Sequence, residues 1–138
     1  MRLWHQSLIP LLPRQQLLGQ HRECCALRGA GWERPHSVVN YVFKHDPAHL
    51  IAYHYLIMNE MERRGYHPDQ TWRNTNYRGT TLGYTDDLEW NCGTTIADFL
   101  MYVEAGYNLY AEHNNEYLKE CLDNLASKGI YLNVDPNN

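Results

Sequence analysis

The chain has 138 residues, of which 43% are hydrophobic and 20% charged, and it carries a net charge of −4. That length can bury one core without disulfides or metal, and no apolar run nears the ~20 residues of a membrane helix. A single cytoplasmic domain without membrane contact is therefore expected, and the prolines in Ile9-Pro10-Leu11-Leu12-Pro13, with no small-residue cleavage site after them, are unlike a signal peptide.

The first predicted helix runs from about Pro13 to Leu27, because proline suits a first helical position and Gly29 supplies a stop. Leu17, Leu18, His21, Cys24 and Cys25 share one face at helical spacing, and Gln16, Gly19, Gln20 and Glu23 share the opposite one. Residues 29–36 read as a loop, and Ser37 to Phe43 as a short apolar stretch, helical or extended. The clearest helix starts at Asp46, an N-cap followed by Pro47, and ends at Arg63-Arg64 before Gly65. Its apolar face is Leu50, Ile51, His54, Ile57, Met58 and Met61. His54 there fits a hydrogen-bonded core histidine better than a metal ligand.

Residues 66–94 lack periodicity and read as a long ordered loop. Further helices are expected over Thr95 to Glu104, before Gly106, and over Asn115 to Ser127, before Gly129. No strand alternation or repeat is evident. The fold class is all-α: one compact domain of about four helices with long ordered loops.

Charge is unevenly spread. Residues 1–78 sum to +4 and residues 79–138 to −8, a pattern that fits a polyanion-binding half beside an acidic one, or simply a solvated surface. Cys24, Cys25, Cys92 and Cys121 have no C-x-x-C spacing and are expected as reduced thiols. Within the first helix, Gly19 costs about 1 kcal/mol relative to alanine, which close approach of a backbone or ligand would justify. The plain alternative is a solvated face with an incidental glycine. Trp4, Trp32 and Trp72 could stack on bases or serve packing.

The run from Leu8 to Glu23, with Gln16-Leu17, Gly19-Gln20 and His21-Arg22-Glu23, resembles the first helix of the pyrimidine-dimer DNA glycosylases. Glu62-Arg63-Arg64-Gly65-Tyr66 and Tyr77-Arg78-Gly79 resemble two later motifs of that family, so the likeness covers roughly residues 1–80. The resemblance implies an all-α domain without metal or cofactor, acting as a monomer on damaged double-stranded DNA. It implies a glycosylase that also nicks the abasic strand by β-elimination, through a Schiff base on the N-terminal α-amine.

An α-amine, with a pKa near 7.7–8.0 against about 10.4 for lysine, is partly unprotonated at neutral pH and suits that role. By the resemblance, Met1 supplies the amine and Glu23 assists it, while Arg2, Arg22, Arg28, Gln16 and Gln20 contact DNA. The chain departs from the family at three points. Arg2 is too bulky for removal of the initiator, so Met1 is expected to remain, with one extra residue between Leu3 and Leu8. Ala26 stands where the family has an arginine, leaving Arg28 as the replacement, and the C-terminal half is acidic rather than basic.

Two other readings stay open. One is a metal-dependent hydrolase using His45, His49 and His54, although no H-E-x-x-H motif occurs. The other is a non-catalytic nucleic-acid or protein-binding module of the same fold.

Overall fold

The computed structural model describes residues 2–34, 39–86, 90 and 93–137. Met1 and Cys92, and Ser37 and Val38 of the predicted apolar stretch, lie outside the described residues. Five α-helices are found among them: α1 (Arg14–Arg28), α2 (Pro47–Arg63), α3 (Gly79–Leu82), α4 (Gly93–Glu104) and α5 (Asn115–Ser127). Short 3-10 helices cover Gln6–Leu11, Asn40–Lys44 and Gln70–Arg73. The only pairing of extended backbone among the described residues is an isolated bridge between Tyr77 and Tyr84. The all-α expectation holds.

Helix α2 is the central element, packing against α1 on one side and α4 on another. Its start follows from local chemistry. The Asp46 carboxylate accepts the Ala48 N–H at 3.0 Å, satisfying a backbone donor that has no partner inside the helix. Its end is set by Gly65, whose φ of +86° is open only to residues that tolerate the left-handed region. Arg64 closes this end by donating to Glu60 at 2.7 Å and to the Leu12 carbonyl at 2.7 Å, which ties the helix to the entry of α1. The expected apolar face is buried, with Leu50, Ile51, His54, Ile57 and Met58 fully so.

The predicted span of α5 matches the structure, capped by the Asn114 side chain on Tyr117 N–H at 2.9 Å. α1 starts one residue later than expected, with Pro13 just outside it. The loop expected over residues 66–94 is interrupted by the Gln70–Arg73 turn and by the single turn of α3, and α4 begins before its end, at Gly93.

Ahead of α1, residues 2–4 form an extended arm that runs inward rather than frayed. Leu3 is fully buried, and Trp4 and His5 nearly so. The arm lies among α1, α2 and α5, and it builds the site described next.

Candidate active site

Gln20 organises the arm. Its side-chain oxygen accepts the Trp4 N–H at 2.7 Å, and its side-chain nitrogen donates to the Arg2 carbonyl at 2.9 Å. Tyr53, fully buried on α2, donates its hydroxyl to the Trp4 carbonyl at 2.6 Å, with Gln20 Oε1 3.0 Å away. Tyr117 on α5 donates to the Leu3 carbonyl at 2.5 Å. Burial pushes the Tyr117 phenol up to about 12, so this donor keeps its proton across the neutral range.

The arm held in this way forms one wall of a cleft of about 390 Å³. Gln16, Gly19, Gln20 and Glu23 line it from α1, Arg2 and Trp4 from the arm, Asn124 from α5, and Lys128 from the C-cap of α5. At Gly19 an added Cβ would meet only Arg22 Nη2, at 3.8 Å. Protein packing therefore does not demand glycine there, and the missing side chain leaves room in the cleft. Exposed Arg22 stands at this edge. The guanidinium of Arg2 sits 5.7 Å above the Tyr117 ring, and the Lys128 ammonium 5.4 Å from the Trp4 ring. One half-buried carboxylate, Glu23, thus shares the groove with two cations, Arg2 and Lys128, and has a third, Arg22, at its rim.

The structure brings Arg2, Gln16, Gln20 and Glu23 together, with Arg22 at the rim, and leaves Arg28 elsewhere. Two expectations are corrected. The Gln16/Gly19/Gln20/Glu23 face was expected to point away from the core, yet Gln20 is only 2% exposed because its amide is used up on the arm and Tyr53. Arg28, expected at DNA, is fully buried. It donates to the carbonyls of Trp72 at 2.8 Å and Asn74 at 3.0 Å, and stacks 5.1 Å from the Trp72 ring, so no face of it reaches a phosphate. Trp32 packs edge-on against Phe43 and Trp90, leaving Trp4 as the tryptophan that lines the cleft.

Asn124 and Lys128 were missed. Their signal was spacing: Tyr117, Cys121, Asn124 and Lys128 follow one face of α5, and Lys128 is one of two lysines in an otherwise acidic half.

The three histidines considered as metal ligands do not converge: the His45 and His49 rings lie 4.9 Å apart, but His54 is not with them. His45 pairs with Glu112 at 2.9 Å, and His49 packs on Phe99. His54 turns instead to His21 at 2.8 Å and to Cys25, the one set of three potential ligands found close together among the described residues. Arg28 Nη1 donates to His54 Nδ1 at 2.9 Å. The His54 proton must then sit on Nε2, facing His21 Nδ1, and the remaining His21 proton faces Cys25 Sγ at 3.8 Å. Burial, reinforced by Arg22 and Arg28 at His21 and by Arg28 at His54, holds both imidazoles below their usual range, and burial pushes the Cys25 thiol up to about 12. A divalent cation would have to displace a proton from this relay beside a fixed guanidinium. The cluster is a hydrogen-bonded network that runs from buried His54 to the half-buried His21 and Cys25.

The sequence profile of the pyrimidine dimer DNA glycosylases matches residues 1–74. No curated protein and no solved structure matches the chain significantly. The match includes Arg2, Gln16, Gln20 and Glu23 of the cleft and stops short of Asn124 and Lys128. It covers more than half of the sequence, on an all-α fold whose first helix carries the expected residues, and the chain belongs to the pyrimidine dimer DNA glycosylase family.

Proposed function

We propose that the chain is a DNA repair glycosylase that also cleaves the abasic strand, using the α-amine of Met1 as nucleophile and Glu23 as its acid–base partner. The observation that carries this reading is that the arm is tied to α1 so that Arg2, next to the amine-bearing residue, lines the same cleft as Glu23.

The chemistry follows from the groups present. The amine nitrogen attacks the sugar C1′ of a damaged pyrimidine nucleotide, the glycosidic C–N bond breaks, and the base leaves with the bond's electron pair and takes up a proton. The nitrogen loses one proton, the C1′–O4′ bond breaks with O4′ taking up a proton as the sugar ring opens, and an iminium that keeps one N–H forms at C1′. A proton then leaves C2′, the C3′–O bond breaks, and the strand departs as a 5′-phosphate end. Glu23 is suited to shuttle these protons and to stabilise the iminium charge, since a carboxylate in a partly dry cleft interacts more strongly with a cation than in water. Arg2, Arg22 and Lys128 would hold phosphates flanking the lesion, with Gln16 at the groove edge.

Borohydride trapping tests this. The native-start protein on an abasic duplex should give a covalent complex whose C=N bond has been reduced to a secondary amine. Acetylation of the N-terminus should abolish it, and Glu23→Gln should weaken it strongly. A folded protein with Met1 intact that binds the duplex but traps nothing would leave a non-catalytic binding module as the reading.

A further inference from the structure

Four backbone groups of the arm end on three side chains: the Arg2 carbonyl and Trp4 N–H on Gln20, the Leu3 carbonyl on Tyr117, and the Trp4 carbonyl on Tyr53. The Gln20 amide presents one donor and one acceptor to residues two apart, as a neighbouring strand would. Side chains of an extended segment alternate between faces, so a slip of one residue would exchange Leu3, fully buried, with Arg2, which lines the cleft. Register is therefore fixed from both faces.

We infer that Gln20, supported by Tyr53 and Tyr117, is a positioning residue that sets which amine can react: it fixes the Arg2 carbonyl and so places the reacting nitrogen one residue upstream of it. The inference rests on the amine chemistry proposed above. Consecutive Cα atoms are about 3.8 Å apart, so one residue too many or too few moves the amine by about that distance. The clamp cannot slide to compensate. A displacement of that size is enough to take a nucleophile out of attack geometry.

The test compares trapping rates under single turnover on an abasic duplex, with the adduct mapped by peptide mass and duplex affinity measured separately. The forms compared are the native chain, Gln20→Met, Gln20→Glu, Tyr117→Phe and a chain with one glycine ahead of Met1. Gln20→Met fills the space without hydrogen bonds. It should slow N-terminal adduct formation at least tenfold with affinity within threefold, and shift the residual adduct toward Lys128, the other amine of the cleft. Gln20→Glu keeps the acceptor for Trp4 N–H and should recover part of the rate. The glycine-extended chain should slow as much as Gln20→Met although its clamp is intact. Tyr117→Phe, which loses one of the four bonds, should slow about threefold and keeps the test informative if Gln20→Met does not fold. Native rates in folded Gln20→Met and Tyr117→Phe, or in the extended chain, would overturn the positioning role while leaving the amine chemistry standing. A native chain that forms no N-terminal adduct would overturn the amine chemistry and the positioning role with it.

Discussion

Arg28 and Arg78 hold each other's chain segments from opposite directions. The Arg28 guanidinium reaches the carbonyls of Trp72, Asn74 and Tyr77, and the Arg78 guanidinium reaches back to the carbonyls of Arg28, at 3.0 Å, and Gly29. The exchange staples the long segment after α2 to the C-terminal end of α1, where cations also meet the negative end of the helix dipole. Gly29 belongs to the same joint, since a Cβ there would come within 3.0 Å of the Arg78 carbonyl.

Arg28→Met should therefore damage the fold and not the DNA contact. It strands three partly buried carbonyls and the buried His54 Nδ1, at about 1 kcal/mol or less each for the carbonyls and more for the imidazole, and a loss of about 3 kcal/mol follows. Melting should fall by roughly 10 °C. Arg28→Lys should rescue little, because a single ammonium cannot reproduce the planar fork. At a temperature where the variant stays folded, the salt dependence of DNA binding should match that of the native protein.

Arg22 should behave in the opposite way. It is exposed at the cleft rim, so Arg22→Gln should leave melting nearly unchanged. Loss of one phosphate contact should weaken duplex binding and reduce the slope of log affinity against log salt by about 0.9. Titrations at several salt concentrations measure both quantities, and an unchanged slope would remove Arg22 from the interface.

Gly19 separates stability from activity. Gly19→Ala should stabilise α1 by about 0.5–1 kcal/mol, since nothing but the end of Arg22 lies near the new methyl. Gly19→Leu should remain folded yet lower trapping on an abasic duplex by at least tenfold, because its side chain enters the cleft. Melting curves and trapping rates on the same samples decide this, and a fully active Gly19→Leu would mean that substrate does not use that space.

Acid should unfold the protein early. Burial holds His113 at about 3 and pulls His5, His21, His49 and His54 below their usual range as well. A histidine whose folded pKa lies below its unfolded value is stabilising while neutral, and that stability is lost as pH falls below about 6.5. For His113 the loss amounts to about 2 kcal/mol between pH 7 and pH 5. Stability measured by denaturant should drop steeply over that window, and His113→Gln should flatten the drop.

Local chemistry in the sequence was enough to place the helices. Asp46-Pro47 and Gly65 bracket α2 because capping and left-handed backbone act within a few residues of themselves. The glutamate, the glycine and Gln16 of the cleft were legible as one face of α1. The inward turn of Gln20 was not, because its partners belong to an extended arm without periodicity and to Tyr53, 33 residues away. Arg28 misled for the same reason: its acceptors lie 44 to 49 residues on, in a segment with no regular pattern. Lys128 was hidden by a half of the chain whose overall charge points away from DNA.

The bond from Tyr117 to Leu3 spans 114 residues of sequence. During synthesis the arm leaves the ribosome well before the helix that closes over it. Helices α1 and α2 can pair much earlier, yet the wall that carries Asn124 and Lys128 cannot exist until α5 has emerged. A nascent chain that has not yet reached α5 therefore lacks a finished cleft.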